Sequence, residues 1–190
     1  DQAGAQAKAA AHLARAVQID PRRSEAWLNL ALVRERTGDG DVAAAYAQAV
    51  AVAGAGAPLH RALWQRARWH DRKQPPDRIA MRDDLLRILA DDQRFPGANG
   101  MLGGYYFAVA DFDAALTQLE REVADAAPGA VPDSVDLEAH YLLALIYTDH
   151  RSDPAKALVH ATAYYQARPD SAKIHELRRR ALRLSGERRP

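Results

Sequence analysis

The chain of 190 residues contains no cysteine. Disulfides, thiolate metal sites and a cysteine nucleophile are therefore excluded, although this absence selects no compartment. Aromatic residues make up 7% of the chain and phenylalanine occurs 3 times. β-Branched residues are also scarce, so a β-sandwich or a parallel-sheet enzyme has little to be built from. Charge of one sign is missing as well. Lys+Arg is 26 against Asp+Glu 25, a net charge of +1, which lacks the basic excess of a general nucleic-acid binder. No apolar run is long enough to cross a membrane. Lysine appears 4 times, so the basic residues are nearly all arginine, as in the product of a GC-rich bacterial gene. There is no signal-peptide pattern and no initiating methionine. The chain starts at Asp1 inside helical sequence, and is expected to be a piece of a longer protein.

What is present is helix-forming. Alanine supplies 41 residues, with many leucines and arginines, and these are strong helix formers. Apolar periodicity and breakers predict ten helices, near 2–19, 24–37, 41–54, 58–72, 77–93, 98–109, 112–127, 134–149, 154–168 and 171–184. The breakers include Asp20-Pro21, Gly38-Asp39-Gly40, Pro75-Pro76, Pro96-Gly97, the stretch Pro128 to Pro132, and Asp153-Pro154. Most connections are short, which makes successive helices antiparallel neighbours. Alternate helices share a stripe: Trp27, Leu30 and Ala31; Leu63 and Ala67; Leu102, Gly103 and Tyr106; Leu143, Ala144 and Tyr147. Superposing the stripes puts repeat starts near 24, 60, 96 and 137, with the last step lengthened by the Pro/Gly-rich insert from Pro128 to Asp133. A two-helix unit at this period predicts an all-α solenoid.

The stripes resemble the tetratricopeptide repeat, whose first helix carries Trp…Leu-Gly…Tyr and whose second carries Ala…Phe/Tyr…Ala before Asp-Pro. The chain shows Ala9…Leu13…Ala16-Val17…Asp20-Pro21, then Trp27…Leu30-Ala31…Tyr46…Ala49-Val50. Further on come Leu102-Gly103…Tyr106…Ala115-Leu116 and Leu143-Ala144…Tyr147…Ala157-Leu158. The unit from His60 to Gln93 departs most, with Arg66 where leucine is expected and Pro75-Pro76 in its turn. The expected organisation is a single array. Residues 1–23 form the second helix of a truncated repeat, and 24–57, 58–95, 96–133 and 134–169 are repeats. A capping helix at 170–186 and a tail at 187–190 complete it. Ala31, Gly103 and Ala144 are expected to let helices approach closely. Trp27 is expected between units, where truncation to alanine would cost about 3–5 kcal/mol. The capping helix should bury Ile174, Leu177, Ala181 and Leu184 and expose Lys173, Arg179, Arg180 and Arg183.

Chemistry-bearing patterns are weak. His140, His150 and His160 stand ten apart on different helices, each turned about 80° from the last, so no metal site is expected. Asp83-Asp84 and Asp91-Asp92 point about 100° apart along a helix and read as solvated faces. There is no dinucleotide, Walker or nucleophile-elbow motif. No catalytic residue and no cofactor is expected. Arg178-Arg179-Arg180, Arg183 and Arg188-Arg189 make the C-terminus basic, either as a capping face and tail or as a weak contact for an acidic partner.

The informative feature is a second stripe. If the family geometry holds, residues one step past the core stripe face the inner side of the array. They are Leu28, Asn29, Leu32 and Arg36; Trp64, Arg68 and Asp71; Gly104 and Phe107; Tyr141, Leu145 and Asp149. Apolar, aromatic and arginine residues aligned on an exposed face mark a binding surface. The bland alternative is a tight superhelix or a preceding segment covering them. The resemblance implies a non-enzymatic scaffold binding an extended or helical peptide of another protein in a concave groove, with Asn29 in a hydrogen-bonding slot; the stripe is amphipathic, so its anchors are expected to be apolar, with Arg36 and Arg68 available to acidic side chains. It further implies a bacterial assembly, secretion or multiprotein-complex role. The rival readings are a homo-oligomerising module and a regulatory or positioning domain of a larger enzyme.

Overall fold

A computed structural model describes residues 2–125 and 134–187. Among the described residues there are ten helices and no strand. They are α1 (Gln2–Ile19), α2 (Ser24–Thr37), α3 (Val42–Ala51), α4 (Ala57–Arg72), α5 (Arg78–Asp91), α6 (Ala98–Ala108), α7 (Phe112–Asp125), α8 (Ser134–Asp149), α9 (Pro154–Ala167) and α10 (Ala172–Glu187). The expected insert at Pro128 to Asp133 and the arginines Arg188 and Arg189 lie outside the described residues. The chain divides into two compact units, Asp1–Asp91 and Asp92–Pro190. In the first, α1 packs on α2, α2 on α3 and α4 on α5, and in the second α6 packs on α7 and α8 on α9. The first helices of these pairs also touch, α2 with α4 in one unit and α8 with both α6 and α10 in the other.

Local sequence explains where the helices start. The second helix of each pair opens on an aspartate whose Oδ1 accepts a backbone N–H two residues inside the first turn. Asp41 accepts from Ala44 N (2.8 Å), Asp77 from Ala80 N (3.2 Å), Asp111 from Ala114 N (3.1 Å) and Asp153 from Lys156 N (3.1 Å). Each satisfies one orphan donor and suits the positive end of the helix. Gly38 ends α2 at φ 70, a left-handed conformation that disfavours any side chain, and its N–H reaches Arg34 O.

The small residues of the stripe sit at close contacts. Ala31, Ala67 and Ala144 are fully buried, and a Cβ on Gly103 would lie 2.6 Å from both Cγ and Cδ2 of Leu119 on α7. Trp27 departs from expectation. It is half-buried against Val17 and Leu30, and its indole N–H donates to Pro21 O at 2.9 Å. Truncating it therefore costs less than the loss of a fully buried ring. On α10, Ile174, Leu177 and Ala181 are buried and Leu184 is half-buried.

The irregular unit has its own logic. Arg66 on α4 meets Asp84 on α5, with Nε to Oδ2 at 2.8 Å and Nη2 to Oδ1 at 2.5 Å. Asp84 is 3% exposed, so the expectation that the Asp83-Asp84 pair is a solvated face fails for Asp84. The arginine that displaces the expected leucine has brought its own counter-ion. Asp91 likewise meets the buried His60, Nε2 to Oδ2 at 2.7 Å. Asp92 holds the turn after α5, accepting from Arg94 N at 3.1 Å.

Candidate protein-interaction surface

In the first unit, α2 and α4 lie side by side and share the second stripe. Asn29, Leu32 and Trp64 are half-buried, and Arg36, Arg68 and Asp71 are exposed. Leu28 corrects the sequence reading: at 2% exposure it is no free anchor. It instead floors a cavity of about 260 Å³ lined also by Ser24, Glu25, Ala57, Pro58 and Arg61. Two ion pairs bridge the helices, Glu25 to Arg61 at 3.7 Å and Glu35 to Arg72 at 2.6 Å. Glu35 also accepts the Tyr46 hydroxyl at 2.8 Å. Burial, reinforced by that carboxylate, pushes the Tyr46 phenol well above its ordinary range. Arg36 and Arg68 have no carboxylate partner among the described residues.

In the second unit, Phe107 packs edge-on against Phe112 (5.8 Å), which stacks on His150 (3.7 Å). Tyr141 and Leu145 are half-buried, packed over the apolar clusters around Leu143 and Leu177. Tyr141 lies 5.7 Å from the Tyr164 ring. Lys173 of α10 sits 3.8 Å above the Tyr141 ring and 3.4 Å from Glu138. Burial alone would lower the Lys173 pKa, but Glu138 and Tyr164 outweigh it and raise it. Asp149 is occupied by Arg180, beside a cavity of about 450 Å³ lined by Thr148, Asp149, Arg180, Arg183 and Leu184. Arg179 and Arg183 both reach Glu176. Four cations of α10 are thus paired with three carboxylates, Arg179 and Arg183 sharing one.

The predicted residues therefore fall into two sets, Asn29, Leu32, Arg36, Trp64 and Arg68 on α2 and α4, and Phe107, Tyr141 and Leu145 on α6 and α8. The sequence reading missed Glu25, Glu35, Arg61, Arg72 and Glu138, and took Lys173 only for an exposed charge of the capping helix. A signal for them existed. Glu25 with Arg61, Glu35 with Arg72 and Glu138 with Lys173 are opposite charges separated by about one repeat, which is where neighbouring first helices come together.

The structure also joins two histidines that the spacing seemed to separate. His140 on α8 and His160 on α9 meet through their Nδ1 atoms at 3.0 Å, because antiparallel packing reverses the offset between them. Burial, then the neighbouring His140, pushes His160 down to about 4. Tyr147 lies parallel to the His160 ring at 5.9 Å, its hydroxyl donating a hydrogen bond to Glu120 and accepting one from Lys156 at 3.3 Å. Among the described residues no group of three or more His, Asp or Glu side chains is arranged to hold a metal ion.

No protein-family profile matches the chain, and no curated protein does. Solved structures do. The crystal structure of BtubC (BKLC) from P. vanneervenii superposes with a TM-score of 0.69 over 98% of this chain and 84% of that one, at 15% identity. The Cut9–Hcn1 hetero-tetramer of the APC/C gives a TM-score of 0.46 at 18% identity, over 93% of this chain and 39% of that one. At such identities the likeness to BtubC is one of fold. With the helix pairs described above, it defines the class: an all-α solenoid of tetratricopeptide-like repeats.

Proposed function

We propose that the chain is a protein–protein interaction scaffold whose first-helix faces bind an extended or helical segment of another protein. The observation that carries this reading is the character of the α2–α4 face. Leu32 and Trp64 remain partly accessible between helices that pair Glu25 with Arg61 and Glu35 with Arg72, and Arg36 and Arg68 stand beside them with no carboxylate partner among the described residues. Exposed apolar and aromatic surface mixed with arginine is the composition of binding hot spots. Phe107, Tyr141 and Leu145 give the second unit an aromatic counterpart. The repeat frame 24–57, 58–95, 96–133 and 134–169 is part of the proposal, with 1–23 as a truncated repeat and 170–186 as a cap. The repeat resemblance favours a place within a bacterial assembly, secretion or multiprotein complex. The test is a variant carrying Leu32→Ser, Trp64→Ser and Tyr141→Ser, compared with the parent in quantitative affinity capture. Loss of specific partners at near-normal helicity supports binding at these first-helix faces; unchanged capture by the folded variant sinks it.

Self-association is the second reading. It is favoured by α1, where Ala7, Ala10, Ala11 and Ala14 line an open cavity of about 330 Å³ and Ile19 is 76% exposed. Light scattering at two concentrations separates it from a monomeric scaffold.

A further inference from the structure

Helices α2 and α4 carry six arginines and three carboxylates between them. The pairing of these charges is uneven. Glu25 goes to Arg61 and Glu35 to Arg72, so the two carboxylates of α2 are consumed by the first and last arginines of α4. Arg66 is taken by Asp84, and Arg34 donates to the Asp41 carbonyl at 3.1 Å. What remains is Arg36 and Arg68, both exposed, against the single exposed carboxylate of Asp71. In the second unit the matching face is settled differently, with Lys173 on Glu138 and Arg180 on Asp149. A free guanidinium presents a planar fork that suits a carboxylate in two-point contact. Beside the two forks lie Leu32, Trp64 and the amide of Asn29. At the N-terminal end of the same helices lies the cavity of about 260 Å³ floored by Leu28 and walled by Ala57 and Pro58, with room for one medium-sized apolar side chain.

We infer that the α2–α4 face takes an acidic segment of another protein, seating one apolar side chain over Leu28 and setting carboxylates on Arg36 and Arg68. This rests on the interaction-scaffold reading and narrows it to a partner chemistry and to one face. The segment runs with its apolar anchor toward Ser24 and Pro58 and its acidic residues toward the far ends of α2 and α4. The exposed Glu25–Arg61 pair at the cavity rim is worth little in itself, so it can open to admit the anchor.

The test selects displayed random peptides on the immobilised full chain and on an Arg36→Glu/Arg68→Glu variant. Both positions are exposed, and circular dichroism checks that the variant keeps its helices. The parent should enrich peptides in which aspartate or glutamate flanks an apolar residue. An enriched peptide, labelled and followed by anisotropy, should bind at least about tenfold more weakly to the variant and weaken as salt rises. The variant should enrich lysine- and arginine-rich peptides instead. Enrichment of neutral or basic peptides on the parent, no enrichment at all, equal affinity for both proteins, or displacement of the acidic peptide by an oligouridine at lower concentration would each overturn the acidic assignment. Leu32→Ser/Trp64→Ser distinguishes the levels. If it abolishes binding of basic peptides to the parent, the face is a groove and only the acidic chemistry is wrong. If no enriched peptide responds to it, the groove reading falls too.

Discussion

The pair α4/α5 in the first unit and the pair α6/α7 in the second bring two helices into contact with opposite chemistry. The first pair crosses at Arg66 and Asp84, a guanidinium and a carboxylate drawn out of water. The second crosses at Gly103 and Leu119, where the absence of a side chain is the essential feature. It also carries a buried carboxylate, but Glu122 is used differently, accepting the backbone N–H groups of Gly97 (3.0 Å) and Gly100 (2.6 Å) to cap α6 from the neighbouring helix. An ion pair fails when one member is lost, because the survivor is stranded. A close approach fails when an atom is added. The two pairs therefore have opposite weaknesses.

The largest effect is expected at the ion pair. Asp84→Ala should destabilise the first unit by about 3–5 kcal/mol by leaving Arg66 without its counter-charge. Arg66→Leu/Asp84→Leu restores the apolar pattern of the repeat and should come within about 1 kcal/mol of the parent. Trp27, Trp64 and Trp69 all lie in the first unit, so tryptophan fluorescence in urea reads this unit directly. A double variant as unstable as the single would show that the pair contributes more than its own neutralisation.

Second in size is Gly103→Ala. The new Cβ meets the buried Leu119 at 2.6 Å, and the Leu119 backbone N is only 3.3 Å away, so the contact cannot be relieved by a swing of the leucine tip. Overpacking costs about 1–3 kcal/mol, against about 1 kcal/mol gained in helix propensity. With a clash this short and backed by backbone, the cost lies at the upper end, and the variant should be less stable by about 2 kcal/mol, read by circular dichroism. Stabilisation would mean that the two helices can part at little cost.

These sites show what the sequence made legible. Glycine at position 103, in line with Ala31, Ala67 and Ala144, announces a close approach from the stripe alone, and the helix boundaries follow from prolines, glycines and apolar periodicity. The Asp41, Asp77, Asp111 and Asp153 caps were readable too, as aspartates recurring about once per repeat ahead of the second helices. Arg66 was legible only as an anomaly, because its counter-ion comes from a neighbouring helix and Asp84 is indistinguishable in sequence from the exposed Asp83. Leu28 failed for a related reason: helical phase says which side a residue faces, whereas burial depends on how near the next helix stands. The His140–His160 contact was hidden because a separation in sequence carries no meaning across an antiparallel turn.

A smaller effect is read by pH, through a half-buried histidine of the second unit. His160 is held neutral by burial, facing His140 and Tyr147 of α8 and Glu120 of α7, with Lys156 on its own helix. Its folded value of about 4 lies below the 6.5 of an unfolded histidine. The unfolded chain therefore binds more protons between these values. The contribution is complete above about pH 6.5 and is lost as pH falls toward 4. After allowance for solvent it should amount to about 1–2 kcal/mol. Thermal unfolding of the parent should lose ground on acidification faster than that of His160→Gln. Parallel profiles would show that the histidine pair is not what makes the second unit acid-sensitive.

The smallest effect has the opposite sign and lies one residue from the second. A Cβ on Gly104 would meet only Leu142 Cδ1, at 4.0 Å. Nothing in the packing of α6 requires a glycine there, and Gly104→Ala should stabilise the second unit by about 0.5–1 kcal/mol through reduced freedom of the unfolded chain. A glycine that costs stability and spares no clash needs another reason, and its place on the second stripe beside Phe107 suggests one: without a side chain, a partner's backbone can lie against the helix. Gly104→Ala should then raise the unfolding temperature while weakening capture of partners that Tyr141→Ser also loses. If stability rises and capture is unchanged, Phe107, Tyr141 and Leu145 are packing residues and the binding surface belongs to the first unit alone.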